Sequence, residues 1–147
     1  MKRIYNDFLG NWRIKRQIKD FLTQQTGTFL GEATIIARDK DWLYFETGTL
    51  NFNNQTPLKS ERRYLWSPTA AGFDIHFDNG QFFHHFNIPS GADGKKSSKA
   101  HHWCDPDDYN VQYDLRRFPE WSSKWRVIGP RKSYKMISKY MRSPEFG

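Results

Sequence analysis

Five polar residues stand in runs that otherwise alternate with apolar side chains: Arg16, Glu46, Arg62, His84 and His102. If the apolar phase of each run points inward, so do they. An unpaired charge in a protein interior is very costly, so each must find a counter-charge, water or a ligand. Two readings stay open. A Glu46 carboxylate lying between Arg16 and Arg62 would satisfy itself. Alternatively, two arginines and two histidines against one carboxylate leave donors to spare, which suits an anionic molecule. Arg62 and Tyr64 fall on one face, a guanidinium beside a phenol, with Trp66 and Tyr113 in phase with the inward set. Trp12, Trp42, Phe82 and Phe86 would supply the apolar wall that small-molecule sites need.

Metal and nucleophile chemistry would draw on some of the same residues. His84, His102 and Cys104 are the candidate metal ligands, because neighbouring residues on a strand face opposite sides and each His-His pair offers one inward nitrogen. They converge only if the strands carrying them pair in the right register. Cys104 and His102 are alternate residues on one strand, ~7 Å apart, which does not make a nucleophile and base. Asp105, Asp107 and Asp108 flank Pro106, where turn geometry accounts for them. The chain has no Gly-x-Ser-x-Gly, Walker loop, dinucleotide fingerprint or His-Glu-x-x-His. The expectation is binding without chemistry and without a cofactor. A metal- or haem-dependent enzyme using the His and Cys side chains is the alternative.

The elements that position these residues are strands. Trp12, Ile14 and Ile18 alternate with Arg13, Lys15, Gln17 and Lys19, the period of a half-buried strand. Similar runs follow at 28–38, 42–50, 61–66, 72–77, 82–88, 99–104, 109–115, 124–128 and 133–141. Asp78-Asn79-Gly80 joins the fifth and sixth as a tight hairpin. Residues 3–9 are expected to form a short N-terminal helix. Pro89 to Ser98 reads as a loop at a barrel mouth. Ten short strands predict an all-β, antiparallel, up-and-down barrel, since closure removes unpaired edges. One domain over residues 1–142 accounts for the 147-residue chain. The tail 143–147 resembles a cloning scar and is set aside.

Composition narrows the class. Six Trp, seven Tyr and twelve Phe exclude a disordered chain despite a mean hydropathy of −0.88. One cysteine excludes a disulfide framework. No apolar run reaches the ~20 residues of a membrane helix, and a soluble cytoplasmic protein is expected. The net charge of +7 is uneven: Arg116 to Arg142 holds nine basic residues against Glu120 alone. Arg13, Lys15 and Lys19 on the outward phase of the first strand, with Lys124, Arg126, Lys135 and Lys139 on the last two, form a basic patch if these strands adjoin. That patch suits a polyanion, an acidic membrane surface or an acidic protein. A solvated face is the simpler reading.

Gly10-Asn11-Trp12 resembles the Gly-x-Trp opening of the calycins, the lipocalin and fatty-acid-binding-protein barrels. There a basic side chain near the end of the last strand packs over that Trp; Arg142 matches, with Arg131 second. A fuller series spans Phe8 to Arg142: Phe8-Leu9-Gly10-x-Trp12, Tyr44-x-Glu46-x-Gly48, Arg63-Tyr64-x-Trp66, Phe83-His84, His102-x-Cys104-x-x-Asp107-x-Tyr109 and Trp125-x-Val127-x-Gly129-Pro130-Arg131-Lys132-x-Tyr134. Together these resemble an uncharacterised domain family of bacteria and some eukaryotes with a lipocalin-like barrel. The resemblance implies the fold and no catalytic residue. Arg62-x-Tyr64 also resembles the carboxylate clamp of fatty-acid-binding proteins, although theirs lies on the last strand. A small, partly apolar, anionic ligand held inside the barrel is the expected function.

Overall fold

The computed structural model describes residues 5–53, 55–88 and 97–143. Ten antiparallel strands form one sheet: β1 (Gly10–Asp20), β2 (Gln25–Ala37), β3 (Trp42–Phe52), β4 (Leu58–Pro68), β5 (Gly72–Phe77), β6 (Phe82–Asn87), β7 (Ser97–Cys104), β8 (Asp107–Asp114), β9 (Trp121–Ile128) and β10 (Ser133–Arg142). Their order is β6-β5-β4-β3-β2-β1-β10-β9-β8-β7. The first and last strands pair, from Trp12 opposite Arg142 to Asp20 opposite Tyr134. The sheet's two edges, β6 and β7, meet through side chains instead of a ladder: the Phe83 and His102 rings lie 5.3 Å apart. The barrel is nearly closed. The expected loop at 89–98 falls outside the described residues, apart from Ser97 and Ser98, which begin β7.

Two expectations are corrected. Of residues 3–9, the first two lie outside the described residues. Tyr5 and Asn6 have helical backbone and the rest is a turn, Phe8 N–H to the Tyr5 carbonyl and Leu9 N–H to that of Asn6, both 3.1 Å, so no helix of the expected length is seen among the described residues. A helix so short has too few internal bonds to repay its nucleation, and Gly10 then starts β1. Phe82 does not face inward. Ile75 pairs with His84 but His76 pairs with Phe82, so Phe83 is an extra residue in a β-bulge. The bulge buries Phe83 and His84 together and leaves Phe82 42 % exposed. No helix among the described residues is long and apolar enough to cross a membrane.

One end of the barrel is plugged by rings. Phe8 lies 4.9 to 5.9 Å from Trp66, Phe73, Phe86, Phe118 and Trp121. The Trp12 indole donates to the Phe8 carbonyl at 2.8 Å, fixing the entry of the chain. Over the Trp12 ring sits Arg142, 3.9 Å from its centroid, donating to the carbonyls of Leu9 (2.8 Å) and Asp7. The Gly of Gly-x-Trp has a physical reason: Gly10 has φ +111°, and a Cβ there would stand 2.9 Å from the Arg142 guanidinium. Arg142, not Arg131, therefore closes the plug.

Candidate functional site

Beyond the plug the inward side chains leave a cavity of about 190 Å³. Each wall follows from strand period. From the plug outward, β3 contributes Tyr44 then Glu46, β4 Trp66, Tyr64 then Arg62, β9 Trp121, Ser123 then Trp125, and β10 Tyr140, Ser138, Met136 then Tyr134. The mouth lies at the Arg62, Tyr109 and Tyr134 end, where these residues are half-buried or exposed. The cavity leaves room inside the barrel for a small molecule.

The inner polar group is paired. Arg16 bonds Glu46 in a fork, Nη1 to Oε2 at 2.7 Å and Nη2 to Oε1 at 3.0 Å, and its Nε donates to Ser138 Oγ at 2.6 Å. The guanidinium lies 4.8 Å from the Phe29 ring. Tyr44 donates to Glu46 Oε1 at 2.6 Å, so the Tyr140 hydroxyl, 3.0 Å away, donates to Tyr44. Burial opposes the charge on both ions. The hydrogen bond and charge of Arg16, then Tyr44 and Arg62, nevertheless hold Glu46 below its ordinary value, and Arg16 is raised by Glu46, Tyr140 and Tyr44. Burial, with Tyr140 and Glu46 nearby, raises Tyr44, keeping its proton for donation. The fork is complete without a ligand.

Arg62 is left over. It stands directly opposite Glu46 in the β3–β4 ladder, yet Glu46 is spent on Arg16. The exposed Arg62 side chain makes no hydrogen bond or ion pair among the described residues. Its charge, with that of Lys132, opposes the rise that burial and Tyr109 impose on the Tyr134 hydroxyl. Lys132 donates to the Tyr109 hydroxyl at 3.4 Å. A guanidinium with no hydrogen bond or ion pair among the described residues and a ring of phenols thus share the mouth.

The remaining expected site residues divide. Tyr64, Trp66, His84 and Tyr113 line the cavity. His84 Nε2 is 2.7 Å from the Tyr113 hydroxyl, and burial, then the nearby His102 and His85, depress His84 to about 3, so the ring is neutral. Its Nδ1 and the Trp121 indole N–H are buried without a hydrogen-bond partner among the described residues. His102 is not on the wall; it packs against the rings of Phe83 and Tyr109. Cys104 is exposed, at the end of the β7–β8 hairpin. The convergence of His84, His102 and Cys104 required β6 and β7 to pair, and they do not. Among the described residues no three His, Cys, Asp or Glu side chains are grouped to hold a metal.

Sequence reasoning overlooked Trp121 and Ser123, which precede the expected start of β9, and Trp125, Met136, Ser138 and Tyr140. The signal for most of these was present. Outward Lys124, Arg126, Lys135 and Lys139 make their neighbours inward by alternation. The outward basic residues are also brought together, since β1, β10 and β9 adjoin.

The family of unknown function DUF6314 has a model that matches residues 8–142. The chain belongs to that family. No curated protein matches it in sequence. Among solved structures, this DUF6314 chain is similar to the S-type phycobiliprotein lyase CPES from Guillardia theta, with a TM-score of 0.65 and 8 % identity over 99 % of this chain and 93 % of that one. At that identity the likeness speaks for the fold of the DUF6314 barrel and for no residue in it.

Proposed function

We propose that the barrel binds a small, partly apolar, anionic molecule in its cavity, with the acid group at the mouth on Arg62 and Tyr64. The observation that carries the reading is the pairing of a ring-walled cavity with a guanidinium that no carboxylate among the described residues has taken. An apolar cavity of ~150 Å³ accepts benzene. The 190 Å³ here therefore suits one flat ring with a short acid arm. Trp66, Phe83 and Trp125 offer π faces, and neutral His84 with Tyr113 offers polar contact at depth. Glu46 repels a second anion, so the acid belongs outside it and the ring beside it. The similar barrel of a phycobiliprotein lyase is compatible with small-molecule handling.

A thermal-shift series tests this with benzoate, cinnamate and 3-phenylpropionate beside their neutral amides. A ligand at 100 times its Kd adds about 2.7 kcal/mol, or roughly 5–10 °C for a domain of this size. The acids should raise Tm and the amides should not, and Arg62→Ala should abolish the difference. Equal effects of acid and amide, or none from either, would overturn the reading.

A further inference from the structure

The outer side of β1 and β10 is independent of the cavity. Lys15 stands directly opposite Lys139, and Lys19 opposite Lys135, while Lys135 also faces Arg126 on β9. Side chains so placed are ~5 Å apart at Cβ, and like charges there repel. Lys15, Lys135 and Lys139 make no hydrogen bond or ion pair among the described residues. Arg126 is different, held by the carbonyls of Val127 and Tyr134 and by Ser133 Oγ. Carboxylates border the patch: Glu32 opposite Arg13, and Asp114, which is already bound to Arg116 and lines one surface hollow with Glu120 and Lys139.

Beside the Lys19–Lys135 pair the outer surface is concave, a groove of about 490 Å³. Gln17, Thr28, Asn51 and Asn53 line it with those two lysines, and no carboxylate does. We propose that this face binds the sugar-phosphate backbone of a nucleic-acid duplex without reading its sequence. The two lysine pairs are four residues apart, ~13 Å along a strand. That is close to the ~12 Å width of a duplex major groove, so the pairs can meet phosphates on both of its edges. Hydroxyl and amide side chains suit phosphate and sugar oxygens. Two rings adjoin this face: Phe21, covered by Lys19 and Arg126, and Phe52, half-buried in the groove lining against Gly27. One half-buried ring offers no series of platforms for successive unpaired bases, whereas a duplex needs none. A flat bilayer does not reach into the groove.

Fluorescence anisotropy with a labelled 20-base-pair duplex, across a salt series, tests the proposal. Four lysines neutralising phosphates predict a slope of log K on log salt of about −3 to −4. The K135E/K139E variant should bind more than tenfold more weakly with a shallower slope. A control, K40E/K59E, removes the same net charge from the β2–β3 turn and β4 and should stay within about threefold of the parent; circular dichroism checks that both fold. The proposal fails if the control loses as much as the patch variant. It fails equally if a length-matched single strand binds more tightly than the duplex, if phosphatidylserine vesicles or an acidic protein compete the duplex off at matched charge, or if no duplex binding is seen at low salt.

Discussion

Replacing Glu46 by Ala would leave the Arg16 guanidinium 7 % exposed, over Phe29, with no counter-ion. Removing one partner of a buried ion pair costs about 3–5 kcal/mol, because the surviving charge stays desolvated and unpaired. Tyr44 loses its acceptor as well, at about 1 kcal/mol for a hydrogen bond. Against a total stability of roughly 5–15 kcal/mol, this is a loss of about 8–20 °C in Tm. Urea unfolding followed by tryptophan fluorescence reads the free energy directly. The double variant Arg16→Met, Glu46→Leu should recover most of the loss, since apolar residues of similar volume need no counter-ion. The pair also sets an acid limit. Glu46 is held below its ordinary 4.5 in the folded protein, so its contribution is complete above that pH and is lost as pH falls through the folded value. The parent should therefore lose stability more steeply below about pH 4.5 than the double variant. A cost under about 1 kcal/mol for Glu46→Ala, or a double variant worse than the sum of the singles, would refute the reasoning.

Two further expectations concern the same barrel. His84, at about 3 in the folded protein against 6.5 ordinarily, binds its proton only on unfolding; stability should fall as pH drops from 6.5 towards 3, on the order of 1 kcal/mol per pH unit. His84→Phe should flatten that slope in urea titrations at pH 7, 6 and 5, and parallel profiles would count against it. Arg142→Ala removes a ring contact and two hydrogen bonds that hold the chain entry over Trp12, for about 2–4 kcal/mol. Arg142→Lys should recover little of it, because a lysine cannot stack flat and donate twice; full recovery in thermal melts would contradict the role given to the guanidinium.

Much of this architecture is legible in alternation. Lys and Arg on one phase of β1, β9 and β10 fix the other phase as interior, and Gly10-x-Trp12 with Arg142 fixes how the ends meet. Three features were hidden for distinct reasons. In Phe82-Phe83-His84-His85-Phe86 either phase reads as apolar, so the bulge at Phe83 leaves no trace in the pattern. Cys104 keeps the inward phase of β7 but sits at the hairpin end, where an alternating residue has no opposite wall. Alternation also tells which side chains enter the barrel, not which ones meet across it. Glu46 is laddered to Arg62, yet it pairs with Arg16, two strands away, across the Phe29 ring. That choice frees Arg62 for the mouth, and it is a property of side-chain reach in three dimensions.

Isothermal titration of an aromatic acid selected by the thermal series, into the parent, Arg62→Ala and Ser123→Phe, tests the central claim most directly. Ser123 is buried on the cavity wall, directly opposite the Ser138 that Arg16 bonds, so a Phe there fills the space. The account predicts one site per chain in the parent, binding about tenfold or more weaker in Arg62→Ala, and none in Ser123→Phe, with the filled variant still melting cooperatively. Undiminished binding to the folded Ser123→Phe protein would place the ligand outside the barrel and contradict the claim.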